Sequence, residues 1–187
     1  RYSNGSCRVM VDASTGTAGA NEGAALEQQL HRLDAAINAL DPNQSFDVTD
    51  NTGAVVGSIT GAEIQSVWNG TVFEVNSNNY SGNGGAGGGT SGSWSGGTLT
   101  GTAGLNPGAV ATYQNAGVQW GIGVDGGVAT LIFHELGHNT HAGLALTAAF
   151  PVTNLISLPR EQQTSWISNS MVSTVGAPYS CGMTLGC

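Results

Sequence analysis

Residues 128–143 read VATLIFHELGHNTHAG, and this stretch holds three of the four histidines of the chain. His134, Glu135 and His138 form the pattern H-E-x-x-H, and His141 follows three residues later. Residues i and i+4 of a helix lie on one face, one turn apart. If the stretch is helical, His134 and His138 can therefore bind one metal ion.

The residues around the motif favour such a helix. Residues 130–133 are mostly bulky and apolar, which is expected of a buried helix, and helical structure is predicted from about Val128. Two imidazoles are common ligands of Zn²⁺, which lowers the pKa of a bound water and polarises a carbonyl group. Glu135 points beside the histidine face, where it can take a proton from the metal-activated water. The spacing thus predicts zinc ligands at His134 and His138 and a general base at Glu135.

In these five residues the chain resembles the zincin metallopeptidases. The resemblance implies that His134 and His138 bind zinc and that Glu135 is the general base. It also implies an α+β fold, in which a small twisted mixed sheet packs on helices. The active-site helix would lie beneath this sheet, and a peptide or protein substrate would lie along the sheet edge.

A catalytic zinc needs a third protein ligand and one open position. The metzincin pattern H-E-x-x-H-x-x-G-x-x-H does not fit, because His141 and Leu144 stand at its glycine and its last histidine. Met171 is similar to the Met-turn of that group but is better explained as a core residue.

His141 is one candidate ligand. On an unbroken helix it lies about 10.5 Å from His134 along the axis, so it could reach the metal only if the helix broke at residues 139–140.

Glu161 is the favoured candidate. It stands near the start of a helix predicted over residues 159–173, and "REQQTS" (160–165) resembles a degenerate form of the thermolysin-type N-E-x-x-S-D segment. That resemblance to the gluzincins implies that Glu161 is the third ligand. Ser165 replaces the aspartate of the pattern, so the carboxylate that usually supports the first histidine is missing. The gluzincins also use a histidine or tyrosine to stabilise the oxyanion, a role for which Tyr179, or less favourably Tyr113, is available.

Composition limits the partners. The chain has 187 residues with 12 acidic and 4 basic side chains, a net charge of -8 and no lysine. The sequence lacks the clustered basic residues that bind nucleic acids and anionic membrane surfaces. No apolar run is long enough to span a membrane.

A surface rich in Ser, Thr, Asn and Gly suggests an exported protein, in which one disulfide among Cys7, Cys181 and Cys187 is plausible. Their pairing and the oligomeric state stay open.

The rest of the chain predicts one domain over residues 1–187. We expect strands at 7–13 and 71–77, a hairpin at 45–59 and a short helix at 60–68 capped by Thr60. Residues 21–42 predict an amphipathic helix capped by Asn21, and residues 109–124 predict two short strands. The glycine-rich segment 80–104 is interpreted as an extended loop inserted into the sheet.

Two functions are compatible with these features. The first is a secreted zinc endopeptidase that hydrolyses peptide bonds through a metal-activated water. The second is a non-enzymatic extracellular adhesive or assembly module with a retained or structural zinc site, which the Gly-, Ser- and Asn-rich composition suits. An open zinc position in a solvent cleft would favour the enzyme, whereas a fourth protein ligand would favour the module.

Overall fold

A small mixed sheet and six α-helices form the part of the chain that the computed structural model describes, which is residues 8–76, 88–150 and 158–177. The predicted α+β class with a small mixed sheet is therefore confirmed. The strands are β1 (Val9–Val11), β2 (Ser45–Thr49), β3 (Val55–Thr60), β4 (Thr71–Val75), β5 (Gly88–Ser95) and β6 (Thr98–Leu105). The helices are α1 (Gly16–Asn38), α2 (Gly61–Gly70), α3 (Ala109–Gln119), α4 (Gly123–Asn139), α5 (His141–Ala149) and α6 (Leu158–Ser173).

The sheet has the strand order β1-β4-β6-β5. Strands β1, β4 and β6 are parallel, and β5 pairs antiparallel with β6 at one edge. β2 and β3 form a separate antiparallel hairpin, as the sequence predicts, and Ser170 of α6 donates a 2.7 Å hydrogen bond to the carbonyl oxygen of Asp47 in β2. Among the described residues, β5 has a strand neighbour on one side only.

Helix α4 passes through the core. Every residue from Gly126 to Asn139 is buried, because α1, α3, α5, α6 and the sheet surround the helix. A helix that is apolar all round can only be accommodated in this way. The large buried side chains of α1, such as Leu26, Leu30 and Ile37, recur at the predicted helical spacing on the face turned to the core. None of the described helices has the length and apolar character needed to cross a membrane.

Two predicted boundaries around α1 are corrected. Asn21 does not cap the helix, which already begins at Gly16. The carboxylate of Asp12 caps a short 3₁₀ turn at residues 13–15 instead, accepting a 2.8 Å hydrogen bond from the backbone N–H of Ser14. This turn leads directly into α1. By contrast, the predicted Thr60 cap of α2 is confirmed, since its hydroxyl accepts a 3.2 Å hydrogen bond from the N–H of Glu63.

The prediction of two strands in residues 109–124 was wrong, because residues 109–119 form α3. The backbone N–H of Gly108, at the start of α3, donates a 2.6 Å hydrogen bond to the carboxylate of Glu22 in α1. Gly117 also lets α4 approach closely, since a Cβ there would lie 2.7 Å from the nitrogen of Gly127. Both contacts come from other elements of the fold, so local propensity did not reveal the helix.

The glycine-rich segment also differs from the expected loop. Its described part forms β5 and β6, which pair along eight residues each. Glycine is needed inside these strands because the end of α4 packs against them. A Cβ at Gly92 would lie 2.7 Å from Asn139 Oδ1, and one at Gly101 would lie 3.0 Å from Asn139 Nδ2.

Candidate metal centre

The first two members of the site come from one face of α4. His134 and His138 are separated by one helical turn, and their Nε2 atoms lie 3.2 Å apart. The two rings are nearly perpendicular, at 89°, with centroids 4.9 Å apart. Both side chains are buried in the core. The predicted one-face arrangement of the H-E-x-x-H histidines is therefore present.

The third member comes from the first turn of α6. Glu161 Oε2 lies 3.0 Å from His134 Nε2 and 3.3 Å from His138 Nε2. These three residues form the one cluster of three or more His, Cys, Asp or Glu side chains with metal-ligand spacing in the described chain. The structure thus brings together the three residues that the sequence predicts as metal ligands.

A glycine lets α6 come close enough to supply Glu161. Gly137 lies on α4 beside His138, and a Cβ added there would lie 3.0 Å from Thr164 Cγ2 and 3.1 Å from the Thr164 carbonyl oxygen on α6. The same Cβ would also overlap Ser168 Oγ. Any side chain at position 137 would therefore push α6 away from α4.

We expect Gly137→Ala to lower the free energy of unfolding by about 1 to 3 kcal/mol, because the added methyl group overpacks the α4–α6 contact. Chemical denaturation measures this loss. Gly57→Ala on β3 is the matched control, since a Cβ there meets no atom within 4 Å. Equal stability of the two variants would contradict a tight α4–α6 contact at Gly137.

The geometry of the three facing atoms fits a tetrahedral metal ion. Ligand atoms placed at 2.0–2.1 Å around a tetrahedral zinc are separated by about 3.3 Å, and the three distances here are 3.0, 3.2 and 3.3 Å. Without a metal ion, hydrogen bonds would satisfy these three atoms poorly. If both imidazoles donated to the same oxygen of Glu161, their two N–H groups would face each other at 3.2 Å. A cation between the three atoms removes this conflict.

Neighbouring side chains orient two of the three residues. Arg160 donates from Nε and Nη2 to Glu161 Oε1, at 2.9 and 2.6 Å, which leaves Oε2 turned toward the histidines. The buried hydroxyl of Thr164 lies 3.4 Å from His138 Nδ1, so it can accept a hydrogen bond from the N–H at that nitrogen when Nε2 binds a metal. No role is predicted for Arg160 from the sequence, because adjacency in the chain does not show where its guanidinium group points.

His134 lacks a comparable support. Its Nδ1 is buried and has no hydrogen-bond partner among the described residues. Ser165, which stands where the thermolysin-type pattern has an aspartate, instead donates a 2.9 Å hydrogen bond to the carbonyl oxygen of Glu161. The departure of the sequence from that pattern at Ser165 therefore coincides with an unsupported first histidine.

The electrostatics of the two carboxylates differ. Burial raises the pKa of Glu135, and the neighbouring imidazoles only partly offset this effect. Burial also acts to raise the pKa of Glu161, but the hydrogen bonds from His134 and His138 outweigh it and hold that pKa well below its usual range. Glu161 is therefore an anion suited to binding a cation, while Glu135 is a carboxyl group that accepts a proton more readily than usual.

His141 does not join the cluster. Helix α4 ends at Asn139, and Thr140 is extended and caps α5 through its hydroxyl, which accepts a 3.0 Å hydrogen bond from the N–H of Gly143. The helix does break at residues 139–140, as a ligand role for His141 would require. The ring of His141 nevertheless turns to Trp94 and Glu63 and is 61% exposed. The break turns His141 away from the three candidate metal ligands.

The other predicted residues lie elsewhere. Tyr113 packs on α3 against Trp120, and its carbonyl oxygen touches Gly127, two turns of α4 before His134. Met171 is fully buried in α6, as expected of a core residue. Tyr179 and the three cysteines, Cys7, Cys181 and Cys187, fall outside the described residues.

Comparison of the chain with models of protein families, with curated proteins and with solved structures found no match.

Proposed function

We propose that this protein is a zinc-dependent endopeptidase of the zincin type, with His134, His138 and Glu161 as metal ligands and Glu135 as general base. The observation that carries the proposal is the convergence of His134 Nε2, His138 Nε2 and Glu161 Oε2 at 3.0–3.3 Å beside a second, buried carboxyl group. If the described residues supply all the protein ligands, a tetrahedral zinc would keep its fourth position for water or substrate, as catalytic rather than structural zinc sites do.

A bound zinc ion would supply Lewis acidity, polarising the scissile carbonyl and acidifying a water molecule. The protein supplies the proton transfers. Glu135 follows His134 directly on α4, and its buried carboxylate takes a proton from the attacking water and delivers it to the leaving amine. Its raised pKa suits both steps, because a base whose pKa lies nearer to neutral pH holds and releases a proton more evenly.

Glu161 has the complementary role. Its lowered pKa keeps it charged. The two hydrogen bonds from Arg160, a fork of Nε and Nη2, occupy Oε1, so that only Oε2 faces the proposed metal position. The negative charge of Glu161 also offsets the charge of the cation in a largely buried site. One carboxylate thus holds the metal while the other moves protons.

The sheet provides a place for an extended peptide. Strand β5 is antiparallel to β6, packs against α4 and has no strand on its outer side in the described chain. Unpaired backbone groups of an edge strand pair readily with an added strand. The zincin resemblance likewise implies an active-site helix beneath a small sheet, with the substrate along the edge of that sheet. Tyr179 remains our proposed oxyanion donor on the sequence argument alone.

The test combines metal content and cleavage. We expect the full chain to bind one zinc ion, measured by mass spectrometry of the metal, and to cleave peptides in a library, measured by mass spectrometry of the products. A chelator should abolish cleavage, and zinc should restore it. At a zinc concentration 100 times the Kd, binding should stabilise the fold by about 2.7 kcal/mol.

Two results would count against the enzyme. Cleavage that persists after complete removal of zinc would exclude a metal-dependent mechanism at this site. Stoichiometric zinc binding without any cleavage would favour the non-enzymatic extracellular module, in which the same three residues hold a structural ion. Export of the protein is part of the proposal on composition alone and is tested by locating the mature protein outside the cell.

A further inference from the structure

The last histidine of the H-E-x-x-H-x-x-H stretch makes contacts that the proposed chemistry does not use. The ring of His141 stacks on the indole of Trp94, with centroids 3.9 Å apart and planes 24° apart. Glu63 Oε1 lies 3.1 Å from His141 Nδ1 and also accepts a 2.8 Å hydrogen bond from the backbone N–H of His141. The exposed ring of His141 is thus held by an aromatic ring and a carboxylate at once.

These three residues join three elements of the fold. Glu63 lies in the first turn of α2, Trp94 lies on the edge strand β5, and His141 is the first residue of α5. Trp94 also donates a 3.1 Å hydrogen bond from Nε1 to the carbonyl oxygen of Asn139, the last residue of α4. The indole therefore contacts both the end of the metal-binding helix and the ring of His141.

Asn139 strengthens the same junction. It is fully buried, directly follows His138, and donates a 3.1 Å hydrogen bond from Nδ2 to Thr71 Oγ1 at the start of β4. The absence of a Cβ at Gly92 lets β5 approach this side chain. The end of α4 is thus fixed against β4 by Asn139 and against β5 by Trp94, and His141 covers the outer face of that second contact.

We infer that His141 is a positioning residue, which with Trp94 and Glu63 holds the edge strand β5 at a fixed distance from the metal-binding helix. Glu63 restrains His141, and the stacked ring of His141 together with the carbonyl oxygen of Asn139 restrains Trp94, which is part of β5. The consequence for substrate rests on the proposed function: a peptide paired with β5 reaches the metal only when β5 is held against α4. His141 then affects peptide binding without touching the metal.

Hydrogen exchange tests the structural step without requiring activity. In the full chain, His141→Ala should speed the exchange of the β5 amides that pair with β6 by roughly 3- to 10-fold, the factor that corresponds to losing one aromatic pair. His141→Phe should restore slow exchange, because a phenyl ring can stack on Trp94. His31→Ala, which removes an exposed histidine from α1, is the matched control and should leave β5 exchange unchanged.

Steady-state kinetics test the functional step. His141→Ala should raise KM by a similar factor and leave kcat and zinc affinity unchanged, since the loss concerns binding rather than chemistry. Unchanged exchange in His141→Ala, or failure of His141→Phe to restore slow exchange, would overturn the inference. Faster exchange with an unchanged KM would overturn the link to substrate. Failure of the proposed function is recognised separately, as the absence of chelator-sensitive cleavage in the wild-type protein.

Discussion

Glu135→Gln is expected to lower the rate of peptide cleavage by about 10²- to 10⁴-fold, the usual contribution of a general base. Glutamine has the same shape as glutamate but cannot take a proton from water. Zinc affinity should not fall, because the proposed metal ligands are His134, His138 and Glu161. The stability of the fold should be kept or slightly raised, since burial already disfavours the charged form of Glu135.

Cleavage rates and zinc titrations on the same samples separate these effects. Asp47→Asn is the matched control, since it makes the same carboxylate-to-amide change at an exposed side chain of β2. It should cleave at the wild-type rate. A Glu135→Gln protein that binds zinc and cleaves as fast as the wild type would show that another group accepts the proton, and the proposed mechanism would be lost.

Glu161→Gln should weaken zinc binding by more than about 100-fold, beyond the 10- to 100-fold loss typical of residues that only support a ligand. The amide carries no charge, and the anionic Oε2 that faces both imidazoles is lost. Competition with a chelator of known affinity measures the change. The zinc-dependent rise in thermal stability should disappear in the same variant, because an ion that no longer binds the native state cannot stabilise it.

His141→Gln is the decisive comparison for Glu161→Gln. The sequence leaves both residues as candidates for the third ligand, but the ring of His141 is stacked on Trp94, whereas Glu161 Oε2 lies 3.0 and 3.3 Å from the two site histidines. We therefore expect His141→Gln to bind zinc as the wild type does. The opposite pattern, with zinc binding lost in His141→Gln and kept in Glu161→Gln, would require a different arrangement of α5.

Where the sequence predicted the fold well, the stabilising pattern was local. The leucines and isoleucine of α1 recur every three or four residues, and Thr60 stands three residues before Glu63 at the start of α2. Where it failed, the decisive contacts came from far along the chain. The N–H of Gly108 before α3 is bound by Glu22 from α1, and Gly92 and Gly101 of β5 and β6 lie against Asn139 at the end of α4.

The same division applies to the candidate site. The spacing of His134 and His138 requires only helical geometry, so these two residues and Glu135 are identifiable from five consecutive letters. Glu161 was favoured from a resemblance and from its position near a helix start, which many glutamates share. The fork from Arg160 and the unsupported Nδ1 of His134 are properties of packed side chains and leave no pattern in the sequence.

The sequence by itself determined that one helix presents two histidines on a single face with a glutamate beside them, since backbone geometry within a helix repeats every 3.6 residues. Only the tertiary structure decided which residue completes the cluster. Because Gly137 has no side chain to hold α6 away from α4, Glu161 can reach His134. The end of α4 at Asn139 turns His141 toward Trp94 instead. Both outcomes depend on how separate helices and strands pack, which short-range spacing does not encode.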